Sequence, residues 1–354
     1  MPTVSQHAIA QKLKVSRATV SRSLANHPAI SPETRALVHG AAEELGYQPS
    51  PGRIASRRAK GRNKVTIGVM IGVPAQDVTM ATFPYILKGI RERAAIERVK
   101  VDVYYQAPGD FHPETSRQPV FRQIREAGWR GAILIYPFSE EAVAMISRRI
   151  STVAVLECYE HPGIDIIDND DPSAVAALVD HLAAAGHKRI GFLSWDYPIG
   201  GHWVARRFSG YVQSLFVHGL EFRPEWTINV HKNSPRLTPT QVADAVAAKI
   251  RQDGITAWVC GADHQAYPLI AELRARGIRV PEDCSVTGFD GLEPPPGLPR
   301  LASMKVPHEH IGSSALTRLI NRIEHASSPR RKILVEADFV AGETIALPPA
   351  ARLP

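Results

Sequence analysis

Val15-Ser16-Arg17-Ala18-Thr19-Val20-Ser21-Arg22-Ser23-Leu24 is the stretch that decides how this 354-residue chain is organised. Ser16 is suited to cap a helix, because its side-chain oxygen can take an amide that has no partner in the first turn. Val20 and Leu24 stand four residues apart and form a short apolar stripe. The other face carries Arg17, Ala18, Ser21 and Arg22. Upstream, from Ser5, the residues Ala8, Ile9, Ala10 and Leu13 recur at helical spacing. Downstream, Ser31-Pro32-Glu33 places a capping serine, a proline at the first helical position and an acid in the first turn. Ala36, Leu37, Val38, Ala41, Ala42 and Leu45 supply the buried face of that third helix, and Gly46 ends it. Two short helices joined tightly, with a third closing their core, make a helix-turn-helix unit. Its second helix fits a major groove about 12 Å wide, led by arginines and small polar side chains. A generic three-helix mini-domain would show the same periodicity, so charge has to decide.

The whole chain carries 42 Lys and Arg against 35 Asp and Glu, a net charge of +7. Residues 1–64 hold eleven of the basic side chains and only three acids, a net +8. The remaining 290 residues hold 31 basic and 32 acidic groups, a net −1. Such asymmetry describes a polyanion-binding module fused to an electrostatically neutral body. At 44% hydrophobic and 22% charged, the composition is that of globular domains, and the length asks for more than one. Cys158, Cys260 and Cys284 are too few and too far apart for a disulfide scaffold or a zinc knuckle. No apolar run approaches the ~18 residues of a membrane span. Lys12, Lys14 and Arg17 stand where a signal peptide needs its apolar stretch, so a cytoplasmic location is expected.

Between Pro49 and Val65, six basic residues and no acids follow prolines and a glycine, which marks a linker. Beyond it, short β-branched runs such as Val65–Ile71, Gly131–Tyr136 and Ser285–Phe289 alternate with helical periodicity over 172–185, 240–252 and 266–276. That alternation implies parallel sheets with covered faces, and two such lobes across a cleft divide the length naturally. Clefts at the carboxyl ends of strands bind ligands. No phosphate loop, nucleophile elbow or zinc-protease helix occurs. His308-Glu309-His310 lacks further ligands at fixed spacing, so no metal, no cofactor and no catalytic residue is expected. A solute-binding protein or sugar-acting enzyme would use the two-lobed body alone, and the first 60 residues argue against it.

Val15–Arg22, Ser31-Pro32-Glu33-Thr34-Arg35 and Glu44-Leu45-Gly46-Tyr47-Gln48-Pro49 together resemble the LacI/GalR family of bacterial transcription regulators. Trp129–Leu134, Ile167–Asp170, Gly186–Leu193, Arg207–Tyr211, Pro281–Asp290 and Ala341–Thr344 are similar to landmarks of that family's body. The resemblance implies an all-α helix-turn-helix DNA-binding domain plus an α/β two-lobed periplasmic-binding-protein type I core. It places the DNA-binding domain at 1–49, a basic hinge at 50–64 and the effector-binding and dimerisation core at 65–354. Lobe one is expected at about 65–163 and 303–325, and lobe two at about 164–302 and 331–354.

The implied partners are double-stranded DNA with a pseudo-palindromic operator, a small-molecule effector of carbohydrate or related type, and a second copy of the chain. The expected DNA-binding residues are Ser5, Ser16, Arg17, Ala18, Thr19, Ser21, Arg22, Asn26, Ser31, Tyr47, Arg53, Ser56 and Arg57. Arginine offers bidentate donors to guanine, while Ala18 can offer only apolar contact to a thymine methyl. At the hinge, Ser56 stands where relatives place a leucine wedge, so less kinking and more phosphate contact are expected. The family's effector residues map onto Phe83, Tyr85, Arg207, Asp263 and Asp290, with Ala262 and Gly291 departing from the usual amide and second acid.

Overall fold

The computed structural model describes residues 5–24, 32–45, 47, 65–72, 82–106, 119–161, 163–194, 202–230, 237–325 and 328–349. The chain divides into two compact units, 1–63 and 64–354.

In the first unit, α1 (Gln6–Leu13), α2 (Arg17–Leu24) and α3 (Pro32–Glu44) bury Ile9, Ala10, Val20, Val38, Ala41 and Ala42. Ser16 caps α2: the Thr19 amide donates to its Oγ at 3.0 Å, and the two hydroxyls hydrogen-bond at 2.8 Å. The turn between α1 and α2 is made by Lys14, whose left-handed backbone (φ 51°) returns its N–H to α1 carbonyls.

The second unit is built on two six-stranded sheets. β1 (Thr66–Ile71), β2 (Lys100–Tyr105), β3 (Trp129–Ile135), β4 (Ser151–Val155), β5 (Ile164–Asn169) and β11 (Lys332–Val335) form the first, in the order β11-β5-β4-β3-β1-β2, all parallel. β6 (Ile190–Leu193), β7 (Thr227–Ile228), β8 (Ala257–Cys260), β9 (Ser285–Asp290), β10 (Ala302–Lys305) and β12 (Asp338–Val340) form the second, in the order β12-β10-β9-β8-β6-β7. Only β12 runs antiparallel there, against β10. The helices that matter below are α4 (Phe83–Glu97), α7 (Asp171–Ala184), α8 (Trp203–Val217), α10 (Asp263–Ala275) and α11 (His308–Glu324); α5 (Pro119–Glu126), α6 (Glu140–Ser147) and α9 (Pro239–Asp253) complete the layers.

The lobe boundaries expected from the sequence need correcting. β5 was expected to open lobe two, yet it joins the first sheet, with Thr152 opposite Ile164. β10 was expected to open the return to lobe one, yet it pairs with β9 in the second sheet. β11, expected in lobe two, pairs with β5 in the first. These strands are only four to six residues long, so pairing partners rather than composition assign them. The chain therefore changes lobes after Asn169, between Lys305 and His308, and between Val335 and Asp338.

In lobe one, α11 packs against α4 at a crossing that two glycines permit. A Cβ on Gly89 would lie 1.9 Å from the Glu309 carbonyl oxygen, and one on Gly312 would lie 2.1 Å from that of Ile86. At the bottom of β5, the fully buried Asp165 accepts from Arg318 Nε at 2.6 Å, Arg322 Nη1 at 3.0 Å and the Arg331 amide at 2.6 Å. Cys260 and Cys284 are buried and Cys158 is half-buried, all three as free thiols.

Candidate functional site

In the first unit, α2 turns Val20 and Ser23 inward and leaves Arg17, Ala18 and Arg22 exposed. Residues 18 and 22 share a face one turn apart, with Arg17 and Ser21 beside them. Thr19 and Ser21 are half-buried, Ser5 and Ser16 are exposed, and Tyr47 packs against the small core. Ser16 and Thr19 already bond each other, so their first duty is to the cap. Asn26, Ser31, Arg53, Ser56 and Arg57 lie outside the described residues.

In the second unit, the strand ends of both lobes face a cleft. Four non-glycine residues at strand ends adopt positive φ: Tyr136 after β3 (71°), Leu156 after β4 (60°), Asn229 after β7 (57°) and Asp290 ending β9 (113°). Such backbone persists only where the surroundings over-determine it, and it gathers at ligand sites. A cavity of about 510 Å³ opens between the lobes. Tyr85, His308, Glu309 and His310 line it from lobe one, and Asp290, Leu292, Glu293, Lys305 and Asp338 from lobe two.

Behind that cavity, Asp171 begins α7 and holds two arginines of α8. Arg206 Nε donates to its Oδ2 and Arg207 Nε to its Oδ1, each at 2.8 Å. Arg207 is further fixed by donating from Nη1 to the Gly261 carbonyl at 2.6 Å and by lying over the Phe289 ring at 3.6 Å. Its Nη2 stands 3.7 Å from Asp290. Contacts bridge the lobes beside this cluster, among them Arg206 Nη1 donating to Cys158 Sγ at 3.8 Å. Arg206 Nη2 pairs with Asp168 of β5 at 3.0 Å, and His202 Nδ1 lies 2.6 Å from Glu157.

Of the five effector residues expected from the sequence, Tyr85 and Asp290 line the cavity and Arg207 stands against Asp290. Phe83 is buried in the core, edge-on to Tyr105 and Tyr136, and is not a lining residue. Asp263 has both oxygens occupied, accepting from Ser303 Oγ at 2.7 Å and the Leu292 amide at 2.6 Å. It braces the loop after β9 instead of facing the cavity. Asp171, Arg206 and Asp168, which the sequence reading did not single out, are gathered beside Arg207 by these ion pairs. Their sequence signal was available in an acid pair before Pro172 at a strand-to-helix junction and an arginine beside Arg207. Trp203 lies under the Arg207 guanidinium at 4.8 Å. Among the described residues, no group of three His, Cys, Asp or Glu is placed to hold a metal ion.

Burial pushes the Asp290 carboxyl up to about 7, while Arg207 pulls it down and Asp263 and Asp171 add to the rise. Burial likewise lifts Asp168 and Asp263 to about 6. A free carboxyl titrates near 3.9, so the folded state holds the Asp290 proton more tightly than the unfolded chain does. That stabilisation is complete below about pH 4 and is lost as pH rises through about 7. His264 and His308, held down by burial to about 3 and about 4, act in the opposite sense as unfolded histidine titrates around ~6.5. Between roughly pH 6.5 and 8 the two effects nearly cancel, so core stability should stay flat to within about 0.5 kcal/mol. Urea melts across that window check this, and Asp290→Asn, which removes the acid's share, should make stability rise with pH instead.

A helix-turn-helix unit joined to a two-lobed body with a charged cleft defines a DNA-binding regulator with a ligand-binding core. The comparisons agree. Residues 7–50 match the model for bacterial regulatory proteins of the lacI family, and 179–345 match a periplasmic binding protein-like domain. The chain is 30% identical over 340 residues to the NTD biosynthesis operon regulator NtdR of Bacillus subtilis (strain 168), covering 94% of this chain and 96% of that protein. It is 28% identical over 351 residues to the transcriptional repressor CytR of Escherichia coli (strain K12), covering 96% of each. The chain belongs to the lacI family of bacterial regulatory proteins.

Among solved structures, the Lac repressor dimer bound to operator and the anti-inducer ONPF superposes with a TM-score of 0.64 at 21% identity, over 98% of this chain and 100% of that one. The transcriptional regulator CelR in complex with cellobiose gives 0.61 at 20%, over 96% and 99%. These relatives are transcription regulators rather than enzymes. No described helix is long and apolar enough to cross a membrane.

Proposed function

We propose that the chain is a repressor that binds a pseudo-palindromic operator as a homodimer, and that a small molecule of carbohydrate or related type in the interlobe cleft sets its operator affinity. The observation that carries this reading is the Arg207–Asp171 pair held against Asp290 at a cavity built by both lobes. A ligand there touches groups on each side, so it favours one lobe arrangement over another by its differential contacts. The Asp168–Arg206 and Glu157–His202 contacts are the bonds that such a shift would strain or relieve. The repressor CytR and the effector-bound relatives support the assignment by analogy. Arg17, Ala18 and Arg22 would read base edges, and Ser5, Ser21 and Tyr47 would serve phosphates. Asn26, Ser31, Arg53, Ser56 and Arg57 complete the proposed DNA set.

A mobility-shift assay on the chain's own upstream DNA tests this. Binding should vanish on removing residues 1–60, and Arg22→Ala should weaken specific binding by about 1–3 kcal/mol. An unchanged footprint and affinity in that variant would take Arg22 out of the interface. Absence of binding even at low salt would sink the repressor reading.

A further inference from the structure

The charges buried around the cleft do not balance, and the imbalance falls on one residue. Four carboxylates, Asp168, Asp171, Asp263 and Asp290, lie buried within one cluster. Asp171 is served by Arg206 and Arg207, each at 2.8 Å. Asp168 has Arg206 at 3.0 Å and also feels the Lys332 ammonium. Asp263 has a hydroxyl and an amide at hydrogen-bond distance. Asp290 has neither. It is 8% exposed, lines the cavity, and its carboxylate accepts no hydrogen bond from any described residue. Its one ionic neighbour is Arg207 at 3.7 Å, whose Nε and Nη1 are committed to Asp171 and Gly261.

The remaining groups near Asp290 do not repair this. Lys305 stands beside it in register on β10 but is exposed and makes no ion pair among the described residues. Instead, Lys305 lies opposite Asp338 across the β10–β12 ladder. His308 is held neutral by burial, and the Tyr136 phenol across the cleft is pushed up to about 12, partly by Asp290 itself. Glu293 and Glu309 on the cavity wall are already paired with Arg300 and Lys88. A buried carboxylate without a donor is costly, which is why Asp290 holds its proton up to about pH 7; a bound group that supplies both a proton donor and a positive charge favours the ionised form and recovers that cost.

We infer that the effector carries a protonated amine that docks on the Asp290 carboxylate, which makes it an amino sugar or other polyol amine rather than a neutral sugar. This rests on the reading of the cleft as the effector site. A neutral polyol would offer Asp290 a hydroxyl donor but would leave Arg207, 3.7 Å away and shared with Asp171, as its one ionic neighbour among the described residues. An ammonium meets both needs, and the phenol of Tyr85 on the opposite wall suits the rest of a polar ligand.

Matched pairs test it on the full chain: glucose with glucosamine, galactose with galactosamine, and putrescine as an amine without a sugar ring. Titration calorimetry at neutral pH should show at least one amine binding roughly tenfold or more tightly than its neutral partner. Asp290→Asn, a residue type that tolerates positive φ, should fold as judged by circular dichroism and lose that preference. Equal or tighter binding of the neutral partners would overturn the inference, as would a preference that survives in Asp290→Asn. Failure of every amine to bind at millimolar concentration would overturn it too. Neutral-sugar binding that alters operator affinity would leave the effector-controlled repressor standing while removing the amine. Operator binding indifferent to any ligand found in the cleft would count against the repressor reading itself.

Discussion

Asp171→Ala is expected to destabilise the core by about 3–5 kcal/mol, because it removes the carboxylate shared by the buried Arg207 and the half-buried Arg206. Arg206 and Arg207 each donate to Asp171 at 2.8 Å, and both guanidinium groups are largely withdrawn from water. Deleting the acid leaves two cations facing a low-dielectric interior with one partner fewer. For a domain of this size the loss corresponds to a fall in melting temperature on the order of 10 °C. The consequence reaches the cleft as well. Arg207 then has Gly261 and the Phe289 ring as its anchors, and its distance to Asp290 is no longer set from behind. Effector binding should weaken along with stability, while the isolated first unit should keep its fold. Calorimetric melting of the core with ligand titration checks both. A variant melting within about 1 kcal/mol of the parent would show that water or Asp290 replaces the lost partner.

Asp165→Ala should cost a similar ~3–5 kcal/mol by the same physics, but with a different outcome for function. Asp165 lies fully buried at the start of β5, receiving Arg318 and Arg322 from α11 and the backbone of Arg331. The three groups tie the first sheet to α11 and to the approach to β11. None of them lines the cavity. The melting temperature should drop as far as for Asp171→Ala, while effector affinity, measured well below the melt, should stay within about twofold, as expected for sites that share no partner. Replacing Asp165 by Asn keeps hydrogen-bond acceptance without charge and should recover part of the loss. Comparable damage to effector affinity in both variants would mean that lobe-one stability, rather than the Asp171 clamp, governs the cleft.

Much of this organisation was legible before any coordinates. Eleven basic residues in the first 64, the capping Ser16 and the Val20–Leu24 stripe identify the first unit by themselves. Charge sign and 3.6-residue periodicity are local properties, and a short helix with its cap is encoded within a few residues. The alternation of β-branched runs with amphipathic helices announced two parallel sheets for the same reason. Arg207 and Asp290 came into view through the resemblance to the family's pocket motifs, not through local pattern.

Other assignments lay beyond local pattern. Whether β5, β10 and β11 belong to one lobe or the other depends on which strand edge each meets, and that pairing is not written in their four to six residues. Phe83 and Asp263 carried the right residue types for a pocket. Phe83 nevertheless spends its ring on the core, and Asp263 spends its oxygens on Ser303 and Leu292. Gly89 and Gly312, far apart in sequence, matter because two helix backbones approach each other there. The sequence by itself determined the division of labour, a basic three-helix reader and a neutral two-lobed body, because charge and periodicity are written residue by residue. Only the tertiary structure decided which acid each arginine meets and that Asp290 is left without a donor. Hydrogen-bond partnership depends on distances of a few ångströms between elements tens of residues apart, and no local pattern records them.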